Sequence, residues 1–142
     1  MAAEAFDLVR FVDAQAPVYA QVQAELAAGR KRTHWMWFVF PQLAGLGRSA
    51  MAQRYAIGSR GEAVAYLAHP LLGARLRECS ALVLSARGPA IDDILGAPDD
   101  LKFQSCMTLF DAVAPAGETL FAQCLQRFFG GERDAATLSR LG

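Results

Sequence analysis

The sequence predicts a mainly α-helical protein, a compact bundle-like domain of about seven or eight helices that spans residues 1–142. Apolar residues recur at helical spacing along most of the chain. Glycine or proline ends most of these periodic segments, as expected at helix termini. Of the 142 residues, 54% are hydrophobic and 20% are charged, a composition suited to one domain around one core.

The first third of the chain predicts two helices and one ambiguous segment. An apolar face predicts a helix over residues 7–14, and Pro17 suits the first turn of a second helix that Gly29 ends. Residues 33–40 fit either a buried strand or a short buried helix, because a short run of large apolar residues occurs in both and has no period that distinguishes them. Pro41 ends this segment in either case.

The middle of the chain carries two capping signals. Ser49 can cap a short helix that runs to about Ile57. Ser59 and Glu62 have the spacing of a capping box, in which each side chain accepts a hydrogen bond from the other residue's backbone N–H. We therefore expect a helix from this box to Ala68.

The remaining helices follow from the same rules. Pro70 opens the longest one, to about Ala86, and Gly88 is expected to end it. Further helical segments are predicted over residues 91–95, from 98–100 to about 113, over 120–129 and in a C-terminal turn capped by Asp134.

Charge and cysteine content exclude several classes of protein. Lys plus Arg equals Asp plus Glu, at 14 each, so no surplus of cations is present to bind nucleic acid. No signal peptide or membrane span is expected, and we expect a cytoplasmic protein. Cys79, Cys106 and Cys124 are widely spaced, which predicts reduced thiols and no zinc cluster. The two histidines have no partners at metal-binding spacing, so neither a metal nor a cofactor is expected.

The stretch from Gly29 to Gln42, GRKRTHWMWFVFPQ, is the most unusual in the chain. Its three cations either complement the negative end of the preceding helix or form a lip that binds an anion. The two tryptophans, Trp35 and Trp37, either belong to the core or stack on a ligand ring. Their indole N–H groups need acceptors, which a ligand could supply. His34 is either a structural residue or an acid–base group.

A second polar segment opens the helix near residue 99. Asp99 and Asp100 either cap this helix or act as catalytic carboxylates, with His34 as a third catalytic candidate. Lys102, Ser105 and Thr108 form a polar strip that could line a cleft. We expect the two acids to pair with Arg30 or Arg32. The candidate ligand-binding residues are Arg30, Arg32, Trp35, Trp37, Gln42, Lys102 and Ser105.

Several strings resemble the domain-of-unknown-function family 1810. They include FDLVRFV from Phe6, AQAPVY from Ala14, GRKRTHWMWFVFPQL from Gly29, HPLLG from His69 and PDDLKF from Pro98, followed by SCMTLF from Ser105. The resemblance covers essentially the whole chain. It implies a mainly α-helical bacterial domain and brings no catalytic residues with it. Some members carry an automated calpastatin-like label, but calpastatin is disordered whereas this chain is strongly apolar.

These observations favour a ligand-binding domain. We expect a cleft between residues 30–42 and the helix that begins near Asp99, suited to an anionic nucleotide-like or ADP-ribose-like molecule. Hydrolysis or N-glycosidic cleavage by Asp99 or Asp100 would fit such a site. The alternative is a non-catalytic interaction module anchored by tryptophan and arginine, which are frequent at hot spots. The sequence leaves the oligomeric state open.

Overall fold

The computed structural model describes residues 6–87 and 90–141. In this part of the chain it contains ten α-helices and no strand. They are α1 (Val9–Gln15), α2 (Tyr19–Ala27), α3 (Met36–Val39), α4 (Ala50–Arg54), α5 (Arg60–Ala68), α6 (Leu72–Ser85), α7 (Ile91–Leu95), α8 (Asp99–Val113), α9 (Leu120–Phe129) and α10 (Ala135–Leu141).

The predicted fold class is confirmed, with more helices than expected. The short segments predicted near Ser49 and over residues 91–95 form the separate helices α4 and α7, and the ambiguous segment adds α3. The helix expected to be the longest is α6, with 14 residues, whereas α8 has 15. Helix α6 ends at Ser85, and Gly88, the residue expected to end it, lies outside the described residues. None of the helices described is long and apolar enough to cross a membrane.

The ambiguous segment is a short helix rather than a strand. Met36–Val39 forms α3, and Met36, Phe38 and Val39 are all buried. A four-residue helix buried on several sides shows no amphipathic pattern, so the sequence alone does not distinguish it from a buried strand. The Phe40 ring packs edge-to-face on Phe103 of α8 at a centroid distance of 5.1 Å, which fixes this segment against α8.

Both predicted caps form, one of them with altered partners. The Ser49 hydroxyl accepts a hydrogen bond from the Ala52 N–H at 3.1 Å, and that of Ser59 accepts one from the Glu62 N–H at 3.1 Å. The Glu62 carboxylate, however, accepts from the Gly58 N–H at 2.6 Å rather than from Ser59. The carboxylate half of the capping box therefore bonds Gly58, one residue before the expected partner Ser59.

The core is organised around α6 and α8. Helix α8 packs on α5, α7, α9 and α10, while α6 packs on α2, α3, α5 and α9. The seven fully buried aromatic side chains are Phe11, Trp35, Phe40, Tyr66, Phe103, Phe110 and Phe121. Because α3 and α7 both pack on these central helices, the loop between α2 and α3 is held close to the start of α8.

The three cysteines are unpaired and buried, as the sequence predicts. Burial raises the pKa of Cys79 to about 11 and that of Cys124 to about 12. Cys106 is completely enclosed on the core side of α8, and burial raises its thiol pKa well above the usual value. These thiols are therefore neutral core residues at physiological pH.

Candidate functional site

The basic loop, residues 30–35, begins at a well-formed helix terminus. Gly29 adopts a φ of +76°, which lets the chain leave α2 in a Schellman motif. In that motif the Arg30 N–H donates to the Glu25 carbonyl at 3.0 Å, and the Gly29 N–H donates to Leu26 at 3.0 Å. The motif satisfies the last carbonyls of α2 and turns the three cations away from the helix axis.

The carboxylate of Glu25 fixes the basic loop through hydrogen bonds. It accepts hydrogen bonds from the backbone N–H groups of Arg32 at 2.7 Å and Thr33 at 3.0 Å, and from the Thr33 hydroxyl at 2.6 Å. The indole N–H of Trp35 adds a fourth at 3.0 Å, and the Gln21 amide a fifth at 2.9 Å. Burial disfavours the charge, but these donors outweigh it and lower the pKa of Glu25 to about 2.

Glu25 is the site residue that sequence reasoning missed. The acceptor for the Trp35 indole was expected from a ligand, whereas the protein supplies it internally. One signal was available: Glu25 lies in the last turn of α2, where a negative charge is disfavoured by the helix dipole. An acid at that position, followed by a glycine stop, indicates a carboxylate that bonds the chain beyond the helix end.

Trp35 is a core residue, and Trp37 is only half-buried. The Trp35 side chain has no exposed surface, so it belongs to the core. Trp37, in α3, retains part of its surface, and the Lys102 ammonium lies 5.8 Å from its ring centroid. Of the two predicted stacking residues, Trp37 alone has surface available to a ligand.

The basic loop meets α8 through an ion triad of Lys31, Asp99 and Lys102. Lys31 Nζ lies 3.0 Å from Asp99 Oδ2, and Lys102 Nζ lies 3.4 Å from Asp99 Oδ1. The two distant segments therefore meet as expected, but Lys31 supplies the cation instead of Arg30 or Arg32. The Lys31 side chain is 8% exposed and its ammonium lies 5.2 Å from the Trp35 ring centroid, so Lys31 is a structural partner.

Beside the ion triad lies an open depression of about 460 Å³, the α7 depression. Its lining residues are Arg30, Lys31, Asp92, Asp93, Ile94 and Gly96. The Lys31 N–H donates to the Ile94 carbonyl at 2.7 Å, which ties the basic loop to α7. Arg30, Asp92 and Asp93 are exposed, so the depression offers a guanidinium and two carboxylates to solvent.

Four other candidates lie around the basic loop or on nearby segments. Arg32 and His34 are exposed, and within the described ranges neither Arg30 nor Arg32 forms an ion pair. The Asp100 carboxylate accepts from the Leu101 N–H at 2.9 Å. Gln42 is half-buried, and its carbonyl accepts from the Ile57 N–H at 2.8 Å.

The predicted hydroxyl strip of α8 faces another helix rather than a cleft. Ser105 is buried, and its hydroxyl bonds the Asp134 carboxylate at 3.0 Å. The Thr108 hydroxyl accepts from the Asp134 N–H at 3.0 Å, while Asp134 caps α10 by accepting from the Thr137 N–H at 3.2 Å. The strip fixes α10 to α8, and only Lys102 of the strip lies at the ion triad.

The described residues of the site include no cluster suited to a metal ion. No group of three or more His, Cys, Asp or Glu side chains within residues 6–87 and 90–141 is placed to hold a metal ion.

Comparison with known proteins places the chain in a family. The crystal structure of the conserved hypothetical protein Rv1873 from Mycobacterium tuberculosis is 56% identical to this chain and has a TM-score of 0.93, covering 96% of both chains. No curated protein matches the sequence. The model of the family described as "Protein of unknown function (DUF1810)" matches residues 5–141. The chain therefore belongs to the DUF1810 family.

Proposed function

We propose that this protein binds an anionic, nucleotide-like small molecule in the α7 depression, with ADP-ribose-like compounds as the leading class. One observation carries the proposal. The exposed guanidinium of Arg30 shares a depression of about 460 Å³ with the exposed carboxylates of Asp92 and Asp93. Such a volume suits a small ligand, and the two kinds of charge suit different parts of one phosphorylated sugar.

Each group has a chemically suitable partner in such a ligand. A guanidinium binds a phosphoryl group through two parallel N–H···O bonds, a geometry that an ammonium does not reproduce. A carboxylate accepts hydrogen bonds from the vicinal hydroxyls of a ribose. Asp92 and Asp93 would repel a bare phosphate, so the arrangement favours a phosphorylated sugar over a free anion.

The ion triad keeps the Arg30 side of the depression in place. Because Lys31 is already paired with Asp99, its role is to fix the basic loop. The triad also lies beside Trp37, since Lys102 contacts both Asp99 and the Trp37 ring. The half-buried indole is therefore available for a base at the far end of an extended ligand, where stacking contributes about 1–3 kcal/mol per base.

Hydrolysis or N-glycosidic cleavage would be a further step beside the α7 depression, whose lining includes Lys31, the partner of Asp99. Asp99 and Asp100 are the carboxylates that would polarise a water or a ribose hydroxyl. Asp99 lies 3.0 Å from the Lys31 ammonium and 3.4 Å from that of Lys102. We place this function in the cytoplasm.

The alternative is an interaction module that uses the tryptophan and arginine surface. Because Trp35 is enclosed in the core, Trp37 is the tryptophan that remains as an aromatic anchor of this surface.

A thermal-shift series tests the binding proposal. The protein is heated with ADP-ribose, AMP, ribose 5-phosphate or ribose, and each ligand is compared with buffer. A ligand at about 100 times its Kd stabilises the fold by about 2.7 kcal/mol. We expect the phosphorylated compounds to raise the Tm of the wild type and of Arg48→Ala, an exposed arginine outside the depression.

In the variants Arg30→Ala and Asp93→Asn, ADP-ribose should lose most of its effect on the Tm, while the unliganded Tm is unchanged. Equal shifts with ADP-ribose in Arg30→Ala and Arg48→Ala would overturn the proposal, as would no shift with any phosphorylated compound.

A further inference from the structure

A second depression, of about 430 Å³, lies between the start of α5 and the end of α10. Three segments form its walls: residues 43–44, 58–60 and 140–141. This α5–α10 depression shares no lining residue with the α7 depression, and its walls differ in charge. Among the described residues that line it, two are arginines, Arg60 and Arg140, and none is acidic.

The two guanidiniums come from distant parts of the chain. Nowhere in residues 6–87 or 90–141 does a carboxylate form an ion pair with Arg60 or Arg140. Arg60 reaches the Ala112 carbonyl at 3.5 Å, the outer limit of a hydrogen bond. Because a guanidinium has five N–H donors, most donors of both arginines remain available to a ligand.

The position of Arg140 depends on a glycine. Gly45 adopts a φ of +94°, and a Cβ atom built there would lie 2.4 Å from Nη1 of Arg140. The guanidinium therefore lies directly against the backbone of residue 45, where a side chain would collide with it. This close packing holds an exposed arginine at the wall of the depression.

Ser59 adds a neutral donor to the same wall. Its hydroxyl oxygen accepts the Glu62 N–H at 3.1 Å, so its O–H proton is free to donate elsewhere. Two guanidiniums and a hydroxyl make a set of donors without an acidic group, which suits a tetrahedral oxyanion. In the absence of an anion, the two cations at one depression repel each other.

We infer that the α5–α10 depression is a binding site for the phosphoryl group of a small molecule, held by Arg60, Arg140 and Ser59. The site is separate from the α7 depression, so the inference does not depend on the proposed function. The volume exceeds that of a phosphate ion, which leaves room for the rest of a phosphorylated compound. Free phosphate and a phosphomonoester share the recognised chemistry and are distinguished by the test.

Amide chemical-shift mapping tests this inference. The ¹⁵N-labelled full chain is titrated with inorganic phosphate and, separately, with glycerol 2-phosphate. We expect saturable shifts at residues 44, 58–60 and 140–141, with tighter binding of the phosphomonoester if a phosphorylated compound is the natural ligand. Tighter binding of inorganic phosphate would identify the free ion as the ligand of the same site.

Variants separate this site from a general charge effect. Arg60→Ala and Arg140→Ala should each weaken binding about tenfold, the loss of one charge-assisted contact. Arg140→Lys keeps the charge without the planar guanidinium, so its affinity should fall between those of the wild type and Arg140→Ala. Arg30→Ala and Arg48→Ala should bind as the wild type does. Shifts that do not saturate, that appear only at residues 30–31 and 92–96, or that weaken equally in Arg48→Ala would overturn the inference.

Discussion

The indole N–H of Trp35 donates to the carboxylate of Glu25 at 3.0 Å, and both side chains are buried. This bond joins the last turn of α2 to the residue just before α3, across the basic loop. The same carboxylate accepts the backbone N–H groups of Arg32 and Thr33. Arg30 and Arg32 are thus presented to solvent on a loop whose backbone is fixed from inside the protein.

This relationship predicts an acid-dependent loss of stability. The pKa of Glu25 is about 2 in the folded protein and 4.5 at its ordinary value. Because the folded-state pKa is depressed, the stabilisation is complete above pH 4.5 and is lost as the pH falls towards 2. Its size at neutral pH is about 3 kcal/mol.

Chemical denaturation of the wild type and Glu25→Gln at several pH values measures this contribution. The variant should be about 3 kcal/mol less stable at pH 7, and the difference should shrink below pH 4.5. A difference that stays constant down to pH 2 would mean that the Glu25 charge contributes nothing.

The ion triad predicts an unequal effect of its two simplest substitutions. Asp99→Asn leaves the buried Lys31 ammonium without a counter-charge beside Lys102, and should cost about 3 kcal/mol. Lys31→Met leaves Asp99 paired with Lys102 at 3.4 Å, so it should cost less. The more exposed Arg133–Asp111 pair provides a control, since Arg133→Ala should cost under about 1 kcal/mol.

Urea unfolding measures the free energy of unfolding of the three variants. A larger loss of stability in Lys31→Met than in Asp99→Asn would contradict the roles given to these two residues. It follows that loss of ligand binding in Asp99→Asn alone would not identify Asp99 as a ligand-contacting group. Arg30→Ala tests the α7 depression without disturbing the triad.

Gly73, near the start of α6, is predicted to tolerate no side chain. A Cβ atom there would lie 2.1 Å from the Leu67 carbonyl oxygen, a contact with backbone that no rotamer change relieves. Gly73→Ala should therefore cost at least about 2 kcal/mol. Gly96→Ala meets no atom within 4 Å but has a φ of +80°, and should cost only about 1–2 kcal/mol.

Comparison of Tm values for the two glycine variants checks the prediction. If Gly73→Ala is as stable as Gly96→Ala, α5 and α6 do not approach each other as closely as described.

The buried thiols predict a marked difference between native and unfolded protein. Burial raises the pKa of each cysteine, so almost no thiolate is present at pH 8 and solvent does not reach the sulfur atoms. A coloured disulfide reagent should titrate none of the three thiols in the native protein and all three in guanidinium chloride. Fast reaction of one thiol in the native state would place that cysteine outside the core.

The parts of the fold that depend on local chemistry could be predicted from sequence. Periodicity, glycine stops and the Ser49 and Ser59 caps act within a few residues, and the helices follow from them. The meeting of the basic loop with Asp99 could also be predicted, because opposite charges near two helix ends favour contact. Which cation would pair could not, since Arg30, Lys31 and Arg32 are adjacent and the Schellman motif decides which one turns inward.

Features set by long-range packing could not be predicted. The hydroxyls of Ser105 and Thr108 look like the lining of a cleft until α10 is placed over them with Asp134 at its start. Trp35 and Trp37 are equivalent in a periodic pattern, and only long-range packing encloses Trp35 and leaves Trp37 half-buried. Glu25 has one local signal, an acid in the last turn of α2, but that signal does not identify its partners in the following loop.

The position of a bound ligand tests the central claim most directly. Amide chemical shifts of the ¹⁵N-labelled protein are measured during titration with ADP-ribose. The Glu25-anchored loop and the α7 depression predict saturable shifts centred on residues 30–31 and 92–96, which Arg30→Ala abolishes and Arg48→Ala retains. Saturable shifts at other residues alone, or no shifts at all, would contradict the claim.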